Sequence, residues 1–184
     1  YFNLGNILRD KCKLNEAEIS MKKAIKLKYD YPSAHNNLGN ILNNLGKLNE
    51  AKMSIEESIK IKPNNKNAYW NLCALSNNIL EAEENIIKCL EIDKNYLNAK
   101  LIHSALKFHQ GDKSLFNELM ETSHKNHPFM RTFKWVLSLP ELPKLFFHRW
   151  ALFDAMIKKS NKNRPFYEFG VWRGEAFKYL INTF

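Results

Sequence analysis

Asparagine recurs in this chain at a fixed step. Asn3, Asn37 and Asn71 are evenly spaced, and Asn40 follows Asn6 by the same step of thirty-four. Asn36, Asn43 and Asn44 crowd the same stretch. A carboxamide carries one acceptor oxygen and two N–H donors. A row of them can hydrogen-bond a partner's backbone without reading its side chains, which is binding chemistry rather than catalysis. The cysteines point the same way. Cys12, Cys73 and Cys89 form no ligand or disulfide spacing, and Cys73 and Cys89 fall on apolar helix positions, so buried free thiols are expected. No catalytic residue and no metal site is expected.

The step belongs to whole segments. "FNLGNILRDKCKLNEA" begins at Phe2 and "NNLGNILNNLGKLNEA" at Asn36; Leu4 matches Leu38, Gly5 matches Gly39 and Ala17 matches Ala51, each at that same step. A third copy runs from Asn71, and its second half, "EAEENIIKCLEIDKN", arrives three residues early. A fourth copy is degenerate. Ser104 takes the glycine place, Gly111 takes the place of Gly46, and Pro128 trails Gly111 by the same distance as Pro63 trails Gly46. A period of this size marks a repeat architecture.

Within each copy the apolar residues recur at helical spacing: Leu4, Ile7, Leu8, then Ala17, Met21, Ala24, Ile25. Gly46 and Gly111 lie between the halves, where a helix must stop and reverse. Asn15 and Asn49 are expected to cap the second helices. Small residues at Gly5, Gly39, Ala17 and Ala51 let the two helices of a hairpin approach closely. One hairpin cannot bury its own apolar face, so the copies must stack.

A helix–turn–helix of this period, with N-L-G, then E-A, then Pro, resembles the tetratricopeptide repeat. The resemblance covers residues 1–130, divided about 1–31, 32–65, 66–96 and 97–130. It implies an all-α fold, a right-handed superhelix of stacked hairpins. It also implies a protein- or peptide-binding scaffold, because first helices of that family line a concave groove that receives extended peptides. Asn3, Asn6, Asn36, Asn37, Asn40, Asn43, Asn44 and Asn71 are the residues that would line it. The family offers a plainer alternative, in which such an Asn satisfies a neighbouring helix end. His35 stands where the family commonly has Trp or Tyr; Tyr69 and Trp70 restore the aromatic in the third copy. Asn and apolar residues stand where the family's basic clamp for a C-terminal carboxylate needs Lys or Arg.

Past Pro128 the texture changes: nine of the twelve Phe and three of the four Trp lie there. Residues 131–163 read as capping or linker helices, with Phe133, Trp135 and Val136 expected to cover the last apolar face. In "RPFYEFGVWRGEAFKYLINTF", Phe166–Val171 reads as a strand, followed by a Gly turn and a helix. Glu168, Gly170 and Gly174 resemble the first motif of S-adenosylmethionine-dependent methyltransferases, most closely the family that O-methylates macrolide sugars. The resemblance implies that residues 164–184 open a methyltransferase domain, with those three residues toward the cofactor only in a longer parent protein. An ordinary strand–turn–helix is the alternative. Since the later strands are missing, the chain as it stands is expected to transfer no methyl group. Its unpaired strand is expected to join two copies in a two-fold dimer. The first copy starts two residues late, as in a fragment.

The formal charge of +9 comes largely from lysines on outer helix faces, such as Lys22, Lys23, Lys26 and Lys28. No motif interleaves aromatic and basic residues, so nucleic acid is not an expected partner. No apolar run reaches the ~18 residues that span a bilayer. The lack of disulfide spacing favours the cytoplasm.

Overall fold

The computed structural model describes residues 1–137, and all regular structure among them is helical. These residues fall into two compact units, the first ending at Ile61 and the second beginning at Lys62. The first contains α1 (Phe2–Asp10), α2 (Leu14–Leu27), α3 (Pro32–Asn44) and α4 (Leu48–Ile61). Here α1 packs on α2, α2 on α3 and α3 on α4, so each hairpin rests on the next. The second contains α5 (Lys66–Cys73), α6 (Ile79–Ile92), α7 (Leu97–His109), α8 (Ser114–Glu121), a 3-10 turn (Ser123–Asn126) and α9 (Pro128–Leu137). It continues the same pairing of consecutive helices, and α9 packs on the 3-10 turn and α7.

Small residues set the approach of the paired helices. Ala17 and Ala51 are wholly buried. A Cβ built on Gly39 would collide with Ile55 Cγ1 and lie 3.1 Å from the Ala51 carbonyl oxygen. One built on Gly5 would lie 2.9 Å from the terminal methyl of Met21, which is free to move aside. Hydroxyls close the second hairpin: Ser54 and Ser58 of α4 donate to the carbonyls of His35 and Pro32 at 2.9 and 2.8 Å.

The turns inside copies one, two and four share one geometry. Lys13, Lys47 and Asp112 donate their backbone N–H to Leu8, Leu42 and Lys107, five residues back. Such a turn needs one residue in the left-handed region. Gly46 (φ 78°) and Gly111 (φ 94°) supply it, and in copy one Cys12 is forced into it at φ 63°. A side chain there costs about 1 kcal/mol relative to glycine. Cys12 is exposed, so Cys12→Gly is expected to stabilise the chain by roughly that amount, read as a raised urea midpoint. A lowered midpoint would show that the thiol makes a contact worth more than the strain.

The same turn corrects the expected caps. Helix α2 starts at Leu14 and α4 at Leu48, so Asn15 and Asn49 lie inside the first turn. Ala17 and Ala51 donate to the carbonyls of Lys13 and Lys47. Leu14 is 5 % exposed, and pulling it into the core starts the helix two residues early, with Lys13 in the cap position. The shortened third copy has a real cap: Asn78 accepts from the Glu81 backbone N–H at 2.9 Å, and the Glu81 carboxylate accepts from Asn77 N–H at 2.9 Å. The expected cap residues Phe133, Trp135 and Val136 lie in α9, and their side chains fall outside the described residues, as does the expected strand Phe166–Val171.

Candidate binding face on the first helices

The asparagines of the first unit sit on α1 and α3. Asn37, Asn40 and Asn44 follow one another at three and four residues, so they share a face of α3. Asn3 is exposed; Asn6, Asn37 and Asn40 are half-buried; Asn36 is buried. Asn37 Nδ2 donates to Asn6 Oδ1 at 2.8 Å. The two helices are therefore joined across less than a full period, one turn off the expected rung. The bond uses one donor of Asn37 and the oxygen of Asn6. It leaves the Asn6 NH2 and the Asn37 carbonyl oxygen without a further bond among the described residues. Asn36, Asn43, Asn44 and Asn71 are each engaged in interactions of their own. Asn71 lies on α5, in the second unit. Beside Asn3 and Asn6, Leu4 and Ile7 stand 47 % and 53 % exposed. The face thus offers paired amides next to apolar side chains.

A carboxylate that sequence reasoning passed over holds the first unit together beside this face. Glu18 of α2 is buried, and it accepts from Lys22 at 2.6 Å and from Lys47, in the turn after α3, at 2.8 Å. In the second unit Glu83 of α6 repeats the device, accepting from Lys107 and from Gln110 at the end of α7. Both acids tie a second helix to the turn of the next copy. Glu83 follows Glu18 by two periods less the three residues lost in copy three, and that match was the available signal. Burial alone would raise the Glu18 carboxyl, but the hydrogen bonds from Lys22 and Lys47 outweigh it and hold the group below the ordinary carboxylate range. Glu83 has the same balance between burial and its bonds from Lys107 and Gln110.

A carboxyl held low in the folded state adds stability above its unfolded value, and that stability drains away as pH falls through the folded value. Unfolding stability is therefore expected to decline once pH drops below about 4.3, the reference value for glutamate. Glu18→Gln should make that acid limb shallower as well as lowering stability at neutral pH. An acid limb as steep as that of the unaltered chain would remove Glu18 from the explanation.

Other chemistry is sparse. Cys73 and Cys89 are buried free thiols, and burial, with Cys89 nearby, pushes Cys73 up to about 12. Among the described residues no cluster of three metal-ligating side chains occurs, and no helix is long and apolar enough to cross a membrane. Glu168, Gly170 and Gly174 lie outside the described residues.

The period, the helical hairpins and their glycine turns agree with the comparisons. Residues 1–31 and 32–65 each match the family model of the tetratricopeptide repeat. Residues 1–65 carry tetratricopeptide repeats. Solved repeat proteins share the fold. A tetratricopeptide repeat protein from Parabacteroides merdae gives a TM-score of 0.65 at 22 % identity, over 87 % of this chain and 64 % of that one. MamA gives 0.60 at 13 % identity over 100 % of this chain and 98 % of its own. The first tetratricopeptide repeat domain of Spaghetti (RPAP3), solved with the HSP90 peptide SRMEEVD bound, gives 0.57 at 18 % identity, over 60 % of this chain and 90 % of that one. At such identities the likeness is one of fold. No curated protein matches the sequence, and the methyltransferase resemblance at residues 164–184 finds no support in these similar proteins.

Proposed function

We propose that this chain is a protein-interaction scaffold whose first repeats hold an extended polypeptide against the amide face of α1 and α3. The observation that carries the reading is the Asn6–Asn37 bond. It fixes two carboxamides on adjacent first helices and leaves the Asn6 NH2 and the second N–H of Asn37 to donate and the Asn37 oxygen to accept, so both groups of a single peptide unit can be met. Asn40 adds a third amide one turn along α3, and Leu4 and Ile7 add apolar contact. A similar fold in the first repeat domain of Spaghetti (RPAP3) has an HSP90 peptide bound. In this reading the repeats occupy 1–31, 32–65, 66–96 and 97–130. The ligand is held by its backbone in an extended conformation rather than by a terminal carboxylate. Screening the full chain against an immobilised library of random unstructured peptides tests it. Binders should tolerate side-chain changes and lose affinity when their backbone amides are N-methylated. Binders insensitive to N-methylation would contradict backbone recognition.

A further inference from the structure

Two of the repeats set an aromatic ring under a lysine. In copy one the Lys23 ammonium lies 5.6 Å from the centre of the Tyr1 ring, and in copy three Lys88 lies 5.7 Å from that of Tyr69. The pairs correspond. Tyr69 follows Tyr1 by two whole periods, and Lys88 follows Lys23 by two periods less the three residues that copy three lacks. The ring comes from the start of a first helix and the cation from the second helix.

Copy four breaks the pair. The ring position, one shortened period after Tyr69, is Lys100, and the lysine position, one full period after Lys88, is Thr122. Both residues line a cavity of about 310 Å³ between α6, α7 and α8. Leu90, Leu115 and Leu119 supply its apolar wall. The space is at the small end of ligand pockets, about 300–1,000 Å³, and suits one ring-sized group. Copies one and three have a ring with a cation over it, and copy two has His35 and Glu57 at those places; copy four has a cation and an open space.

Charge narrows the occupant further. Lys94 joins Lys100 at the cavity, two ammonium groups against one carboxylate, Glu118, and the imidazoles of His103 and His124 also line it. Asp93, the acid near Lys100, is already paired with Lys66. We propose that this cavity is a binding site for an aromatic ring that carries, or is flanked by, a negative charge. The ring takes the place that Tyr1 and Tyr69 fill in their own repeats, under the Lys100 ammonium. The acid meets the Lys94 ammonium and the imidazole N–H of His124. A free aryl carboxylate and an aromatic residue beside an acidic one in a peptide share this chemistry.

The full chain, titrated with 4-hydroxyphenylacetate and separately with a capped Glu-Tyr-Glu tripeptide while its backbone amide NMR spectrum is followed, tests the proposal. Shifts at Lys100, His103 and His124 are expected with at least one probe, and the probe that binds more tightly identifies the source. Lys100→Tyr restores the internal ring, and it should raise the melting temperature and weaken probe binding at least tenfold. Lys100→Gln keeps the space and loses the cation, and it should weaken binding severalfold without that gain in melting temperature. The proposal is overturned if neither probe moves these resonances at millimolar concentration, or if the Lys100→Tyr chain, shown folded by its spectrum, binds as well as the unaltered one.

Discussion

Ile55→Ala is expected to lower folding stability by about 2–5 kcal/mol, the range for emptying a buried aliphatic site. Ile55 is 1 % exposed and lies against the bare Cα of Gly39, with its terminal carbon 3.0 Å from where a Cβ would be. Gly39→Ala should also destabilise, by about 1–3 kcal/mol, because the branched side chain of Ile55 and the Ala51 carbonyl are in the way. The two changes touch the same small space, so they should not add. In the Ile55→Ala background the new methyl at position 39 enters the space that Ile55 vacates. The double variant should be no less stable than Ile55→Ala alone. Gly5→Ala is the control: the methyl of Met21 can swing away, and alanine is the better helix former, so its effect should be small. Urea unfolding of the four variants reads all of this. Strict additivity at 39 and 55 would mean that close helix approach is not what the glycine provides.

Removing the amides of Asn6, Asn37 and Asn40 together is expected to weaken a groove ligand by about tenfold to a thousandfold, from roughly 0.5–1.5 kcal/mol per lost hydrogen bond. The three are not equivalent. Asn6 and Asn37 are bonded to each other at 2.8 Å, so either single alanine leaves the other free to turn. Their effects on binding should therefore be coupled, with the double change close to the larger single one. Asn40 takes no part in that bond, and its alanine should act independently of both. Far-ultraviolet circular dichroism should be unchanged in all three, since each side chain is half-exposed on a helix surface. A loss of helicity that tracks the loss of affinity would assign these residues to the fold instead of the ligand.

Much of the fold was legible because a repeat states its own rules more than once. Gly46 and Gly111 marked the reversals, and the structure places both in the left-handed region. Gly39 and Ala51 marked the close approach, and their surroundings leave no room for a larger side chain at Gly39. The helix starts were misplaced by two residues because the five-residue turn bond and the burial of Leu14 act together, and a polar residue at Asn15 looks like a cap without them. The diagonal Asn6–Asn37 bond was not legible. Sequence spacing gives the step along a stack but not the stagger of one helix against the next, which packing decides. Glu18 and Glu83 were missed since their match appears only when the three-residue deletion is counted. Buried acids are rare without partners, and here the partners come from the next copy's turn.

The binding face itself is tested most directly through the side-chain NH2 signals of asparagine, which a nitrogen–proton correlation spectrum displays separately from the backbone. The full chain is titrated with the tightest peptide from the random library, and the signals of Asn6, Asn37 and Asn40 are followed alongside those of Asn15, Asn49 and Asn98, which are exposed and outside the face. The account predicts that the first three move together, saturate at one dissociation constant, and stop responding when the peptide backbone is N-methylated. Saturable binding that leaves those three signals still, while amides elsewhere on the chain shift, would contradict it.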